Sequence, residues 1–258
     1  MAARGRETRA ELERTHSPAA IRHRLGRPRR HSYLSDGIFG AIDGAVTTFA
    51  VVAGVTGAGL SAGVIVILGA ANLLGDGFSM AAANFLGARA ARQQHERERR
   101  LEEREIELHP EGEREEIRQI FARKGFTGEL LEQVVGVITG DRKRWVDTMM
   151  TEEHGAAREL RSPWRAGAVT FAAFIAIGSI PLLPFAGVLI GAIDLPQRPF
   201  AWSAAMTGAA FFLVGAAKSR FVDQRWWFSG LETLGVGSVA AALAYGAGVV
   251  LGGVVREL

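Results

Sequence analysis

The stretch that decides the fold is Gly63–Leu108, GVIVILGAANLLGDGFSMAAANFLGARAARQQHERERRLEEREIEL. Its first half is apolar and long enough to cross a bilayer, since ~20 residues at 1.5 Å rise span the ~30 Å hydrocarbon layer. Its second half is almost entirely charged, and no Gly or Pro separates ARQQHERERR from what precedes it. The expectation is one continuous helix that leaves the membrane and projects into water. Asn72, Asp76, Met80 and Asn84 recur every four residues in the apolar half, with Ser79 beside them. Four residues turn a helix ~400°, so this polar stripe drifts only ~40° per step and is expected on one side of the helix. In the charged half Glu98, Glu102 and Glu105 continue at helical spacing.

Working outward, the chain alternates apolar blocks with one polar block. Seventeen of the 27 acidic residues fall between Arg89 and Arg161, which marks that segment as the water-exposed part. There is no cysteine, so thiolate metal sites and disulfides are excluded. Residues 1–31 carry nine Arg against three Glu and no apolar run. They read as a topology signal, and with no aromatic or glycine pattern among the arginines no nucleic-acid partner is expected.

The fold class expected is all-α: a five-span transmembrane bundle with a helical cytosolic domain inserted between spans 2 and 3. The divisions are an Arg-rich arm over 1–33, spans 1 and 2 over 34–89, the insert over 90–163, and spans 3 to 5 over 164–258. Span 1 runs from about Ser35 to Thr56 and a short GAGLSAG loop makes span 2 its antiparallel neighbour. Pro110 ends the long helix, because the residue before a proline avoids helical geometry. Within the insert, EGEREEIRQIFARK carries Ile117, Ile120 and Phe121 as its apolar stripe. Thr127 is expected to cap the next helix, with Leu130, Leu131, Val134, Val137 and Ile138 inward. DRKRWVDTMMTEEHGAARELR returns to the membrane as a fourth helical piece. Span 3, about Ala166 to Ile193, is interrupted by Pro181 and Pro184. Span 4 covers about Phe200–Ala217 and span 5 about Leu231–Gly253, joined by a basic loop, KSRFVDQRWWFSG, with a Trp pair at interfacial depth. The Arg-rich arm, the insert and KSRFVDQR all fall on one side, and the opposite loops carry only Arg198. The N-terminus and insert are therefore expected in the cytoplasm and the C-terminus outside.

A charge at the bilayer centre costs ~2.5–3.5 kcal/mol on insertion scales, so a carboxylate there faces a bundle interior or an aqueous path. Asp43 and Asp76 lie on adjacent spans, and Asp36, seven residues before Asp43 on the same face, is either interfacial or part of the same path. Ser79, Asn72 and the glycines equally suit helix–helix packing. Beside the two Asp residues, Met80 adds a thioether, which shifts preference towards transition metals. The combination reads best as Fe²⁺, followed by Mn²⁺, with Zn²⁺ or Co²⁺ also open. In the insert, Glu102 with Glu105 and Glu113 with Glu116 share helix faces, and Met149–Met150 precede Glu152–Glu153. Interleaved Arg makes a solvated charged face the plain alternative for the Glu residues. No Glu-x-x-His pair of the dinuclear bundle type occurs, and His109 and His154 follow Glu at other spacings.

DGIFGAIDGAVTTFAVVAGV followed by ANLLGDGFSMAAANFLG resembles the first two spans of the vacuolar iron transporter family. PEGEREEIRQIFARKGF and TMMTEEHG resemble its cytosolic metal-binding domain, and the likeness covers about Ser35 to the C-terminus. The resemblance implies a homodimer that exports Fe²⁺, and often Mn²⁺, from the cytosol in exchange for protons, through a path between the subunits lined by the first two spans. Matched by motif, Asp43 and Met80 would line that path. Glu102, Glu105, Glu113, Glu116, Met149, Met150 and Glu153 would hold ions before delivery. The family commonly has Glu four residues after the Met of SMA, whereas this chain has Asn84, and Asp76 is the candidate substitute. The bacterial inner membrane is the expected location, with divalent ions and protons as the ligands, no prosthetic group, and no enzyme activity. A membrane-anchored ferroxidase and a metal-binding sensor or scaffold are the alternatives left open.

Overall fold

The computed structural model describes residues 9–26, 32–155, 160–191, 199–222 and 224–257. Residues up to Ser32 form one unit and Tyr33–Leu258 another. In the first, two short helices, α1 (Arg9–Thr15) and α2 (Pro18–Gly26), follow one another, and α2 buries no residue.

The regular elements among the second unit's described residues are all helices, and five of its helices are long and apolar enough to cross a membrane. The first is α3 (Leu34–Gly57). After a turn through Gly59, at φ 70°, α4 runs unbroken from Ala62 to Leu108, 47 residues or about 70 Å. Ala, Leu, Arg and Glu dominate its second half, all strong helix formers. His109 leaves helical geometry at φ −140° and ψ 59°. Pro110 then starts α5 (Pro110–Arg123), where its missing N–H is no loss. α6 (Gly128–Thr139) and α7 (Arg142–Glu152) complete the insert. The third span is α8 (Pro163–Gly178), a 3₁₀ turn at Ile180–Leu182 and α9 (Leu183–Leu189). The break lies at Pro181 and Pro184, as proline's missing donor requires. Ser203 Oγ donates to the Pro181 carbonyl at 2.7 Å, satisfying a backbone acceptor that lipid would leave bare. α10 (Pro199–Lys218) and α11 (Trp226–Glu257) are the last two spans.

α3 is the axle of the bundle and packs on α4, α8, α10 and α11. It does so through small residues, because close backbone approach supplies the dispersion contact that the hydrophobic effect cannot supply in lipid. Gly40 and Gly44 lie against the α8 backbone, and a Cβ on Gly44 would stand 2.5 Å from the Phe174 carbonyl oxygen. Further along, Gly57 meets Tyr245 and Gly54 meets Gly248 of α11. Between these contacts Phe49, Val52, Ile65, Leu73, Phe174, Leu182, Phe185 and Phe211 form the core. α11 turns the rest of its surface outward, including Leu243, Val250 and Val255.

The insert has a separate core of Ile106, Ile117, Leu131, Val135, Ile138, Trp145, Val146, Met149 and Met150. Four expectations need correction here. Leu130 and Val137 of α6 are exposed, and Val135 is buried in their place. α6 is apolar on two adjacent stripes, and the Leu131–Val135–Ile138 stripe is the one the neighbouring helices cover. Thr127 holds the N-cap position of α6 in extended geometry, but its side chain makes no capping bond; Asp141 does cap α7, accepting from Arg144 N at 2.7 Å. The Trp226–Trp227 pair belongs to the first turn of α11 rather than to a loop. The fourth helical piece of the insert ends earlier than its sequence run, because Gly155 adopts φ 60°. Ala156–Glu159, the 192–198 loop with Arg198 and the end of span 3 at Ile193, and Asp223 lie outside the described residues.

Candidate functional site

The four-residue stripe of α4 does not stay together. Three steps of ~40° accumulate to ~120°, which places its members in separate surroundings. Asn72 is half-buried and its amide donates to Thr47 Oγ1 at 3.3 Å and towards Thr48 Oγ1 at 3.5 Å. Asp76 and Ser79 face outward, uncovered by the chain's own helices. Met80 is half-buried against the apolar core.

Asn84, at the far end of the drift, belongs to a polar knot where α3, α4 and α8 meet. Its amide donates to Asp36 Oδ1 at 3.0 Å, to Thr170 Oγ1 at 2.8 Å and to the Ala166 carbonyl at 3.4 Å. Asp36 is buried, 4 % exposed. Its Oδ1 also accepts from Arg161 Nη1 at 2.7 Å, and its Oδ2 finds no donor among the described residues. Arg161 comes from the segment leading into α8, where the Ser162 N–H donates to the Tyr33 hydroxyl at 2.9 Å. A buried carboxylate is tolerable when paired and hydrogen-bonded, and Asn84 supplies a donor here that an ionised glutamate would not.

Asp43, half-buried on α3, lies about two turns deeper and interacts electrostatically with Asp76 of α4. Thr47 Oγ1 donates to the Asp43 carbonyl at 2.9 Å, which ties the Asn72 amide into the same neighbourhood. Two carboxylates on adjacent spans, one open to the outside of the bundle, form a hard-donor pair inside apolar surroundings. Met80 follows Asp76 by about one turn.

In the insert the carboxylates converge from three helices. Glu102 of α4 is 1 % exposed and Glu113 of α5 is 8 % exposed. Glu102 Oε1 and Glu113 Oε2 are buried without a hydrogen-bond donor among the described residues. Burial, then the shared contact with Glu102 and the charges of Glu116 and Glu105, pushes Glu113 up to about 8. Glu102 is raised as well, chiefly by burial, against the pull of His154. Glu116, raised by burial first, also feels Glu153, Glu102 and Glu105. Five buried or clustered carboxylates of this kind attract protons or cations. Glu105, Glu116 and Glu153 are on the exposed side of the group. Met149 and Met150 are buried in the insert's apolar core, at 0 % and 3 % exposure.

Sequence reasoning missed two participants and discounted a third. Arg161 and Thr170 complete the Asp36 knot from 125 and 134 residues away, a separation no local spacing reports. His154 is the third: its Nε2 is 3.2 Å from Glu102 Oε2 and 3.9 Å from Glu153 Oε2. Its position one residue after Glu153 in TMMTEEHG was the only local sign.

Comparison with known proteins sets these clusters in context. A family model described as the VIT family matches residues 34–249. A vacuolar iron transporter of Toxoplasma gondii is 34 % identical over 225 residues, covering 85 % of this chain and 74 % of that protein. One of Centaurea cyanus is 32 % identical over 86 % of this chain and 91 % of its own length. Vacuolar iron transporter 1 of Arabidopsis thaliana is 32 % identical over 81 % of this chain and 82 % of its own.

Proposed function

The chain belongs to the VIT family, and from that premise we propose that it is a membrane transporter carrying Fe²⁺ out of the cytosol in exchange for protons. The observation that carries this reading is the Asp43–Asp76 pair, two carboxylates on adjacent apolar spans with Asp76 uncovered in the single chain. A carboxylate turned to lipid is costly. A second copy applied to this face of α4 would enclose a path with Asp43, Asp76 and Met80 on its wall. The functional unit is therefore a homodimer.

In this mechanism the insert faces the cytosol. Glu102, Glu105, Glu113, Glu116 and Glu153 gather Fe²⁺, and Met149 and Met150 back the site. The ion passes to Asp43 and Met80, with carboxylate oxygens and the thioether together favouring Fe²⁺, and Mn²⁺ as a second cargo. Protons and metal compete for the same oxygens, so protonation on the far side releases the ion and proton flow drives export. Asp36, held by Arg161 and Asn84, is a structural closure at the loading end of the path.

The test is Fe²⁺ uptake, under anaerobic conditions, into liposomes of known protein orientation. Uptake that follows an imposed pH difference and falls at least tenfold in Asp43→Asn is the expected result. Undiminished flux in Asp43→Asn would remove the proposed path. Metal binding by the insert with no flux in any gradient would favour a sensor.

A further inference from the structure

The metal-gathering reading of the insert accounts for its carboxylates and leaves His154 unused. His154 is placed with some care by the backbone. Glu153 N–H donates to the Met149 carbonyl at 2.9 Å and His154 N–H to the same carbonyl at 3.4 Å. Gly155 then adopts φ 60°, a geometry that favours glycine. The two residues at the end of α7 are thereby set over Glu102 of α4, 52 residues earlier.

One donor atom each from Glu102, Glu153 and His154 lies within 4.8 Å of the others. A first-row divalent ion with bonds near 2.1 Å holds its donors about 3–4 Å apart, so the three atoms need only small shifts to share an ion. The remaining oxygen of the buried Glu102, Oε1, has no donor among the described residues. An acceptor of that kind is satisfied by a cation or a proton. We infer that His154 is a metal ligand, forming with Glu102 and Glu153 a site of one imidazole and two carboxylates on the insert. The inference rests on the insert being metal-binding, but it adds a donor class that carboxylates and thioethers do not supply. Imidazole suits Fe²⁺, Co²⁺ and Zn²⁺, whereas all-oxygen sites suit Mn²⁺ and Mg²⁺. The site therefore ranks Fe²⁺ above the second cargo, Mn²⁺, before either ion reaches the membrane.

The experiment uses the full chain in detergent, without an affinity tag, with Co²⁺ and Mn²⁺ as the probes. Co²⁺ and Mn²⁺ affinities are measured for wild type, His154→Gln, Glu102→Gln and Glu113→Gln. Loss of the imidazole is expected to weaken Co²⁺ binding about tenfold or more and to leave Mn²⁺ binding within about threefold. In parallel, ¹⁵N-histidine-labelled wild type loaded with Co²⁺ is expected to show a paramagnetically shifted imidazole N–H resonance. The diagnostic resonance is the large contact shift of a coordinated imidazole, lost in His154→Gln; a merely structural His154–Glu102 contact beside a carboxylate-held ion gives only a smaller through-space shift. Absence of the resonance from Co²⁺-loaded wild type overturns the inference, even if His154→Gln does not fold. Unchanged Co²⁺ affinity in a folded His154→Gln overturns it as well, and if Glu102→Gln still weakens binding the gathering role survives. Wild type that binds neither ion through Glu102 or Glu113 overturns both.

Discussion

Glu113 shows how single residues in this protein are tuned by their neighbours. Its ordinary value is 4.5, and in the folded chain burial and the adjacent Glu102 push it up to about 8. Between those values the folded protein binds a proton that the unfolded chain releases. Stability contributed by this group is therefore full below about 4.5 and declines as pH rises towards 8. The melting temperature of metal-free protein is expected to fall between pH 5.5 and 8.5, and Glu113→Gln is expected to flatten that slope. A divalent ion such as Co²⁺ should recover the loss at high pH, because binding displaces the proton and stabilises the folded state. A melting temperature that rises with pH in metal-free protein would contradict the assignment. The Glu residues of this group were visible in the sequence as pairs sharing helix faces, since i, i+3 spacing is a local property. That Glu102 is buried while Glu105 is exposed was not visible, because it depends on where α5 and α7 cross α4. The Asp36 knot illustrates the same limit: Asn84 looked like a member of the Asp76 stripe, and only the packing of α8 gives it a different partner.

Among the elements, α3 and α8 are the pair on which the bundle depends. Their contact is made by backbone against backbone at Gly40 and Gly44, so a single methyl group has nowhere to go. Gly44→Ala is expected to cost about 1–3 kcal/mol, read as a lower melting temperature in detergent. Gly235→Ala on α11, which opens into free space, is the matched control and is expected to be neutral. Equal effects of the two would mean that the close approach does not set stability. Length and hydropathy made the five spans legible, and the proline pair correctly located the break in the third. Boundaries near interfacial residues were harder: Trp226 and Trp227 tolerate a helix start as readily as a loop, and their aromatic character does not distinguish the two. α6 misled for another reason, having more apolar surface than its neighbours cover.

As a whole, Tyr33–Leu258 is an integral membrane unit whose outer surface is the apolar side of α10, α11 and much of α4. Among the described residues, the strip of α4 carrying Asp76 and Ser79 is a face that does not suit lipid. The absence of cysteine from the chain makes this directly testable by single-cysteine cross-linking in native membranes. Ser79→Cys is expected to give a disulfide-linked dimer on oxidation, and Leu243→Cys on the outer side of α11 is expected to stay monomeric. The opposite pattern would move the subunit interface away from the proposed path. The uninterrupted α4 also imposes a condition of phase. Asp76 and Glu102 ride on the same rod, roughly 26 residues and about 39 Å apart. Each residue added or removed between them would swing one end by ~100° relative to the other, like a cam slipped on its shaft. Were ions merely to diffuse from one cluster to the other, a joint of any length would serve. On the proposed mechanism, a rigid shaft ties the bearing of the Glu102 cluster to that of the carboxylates in the apolar spans, so that the length of its middle section is tolerated only near whole turns.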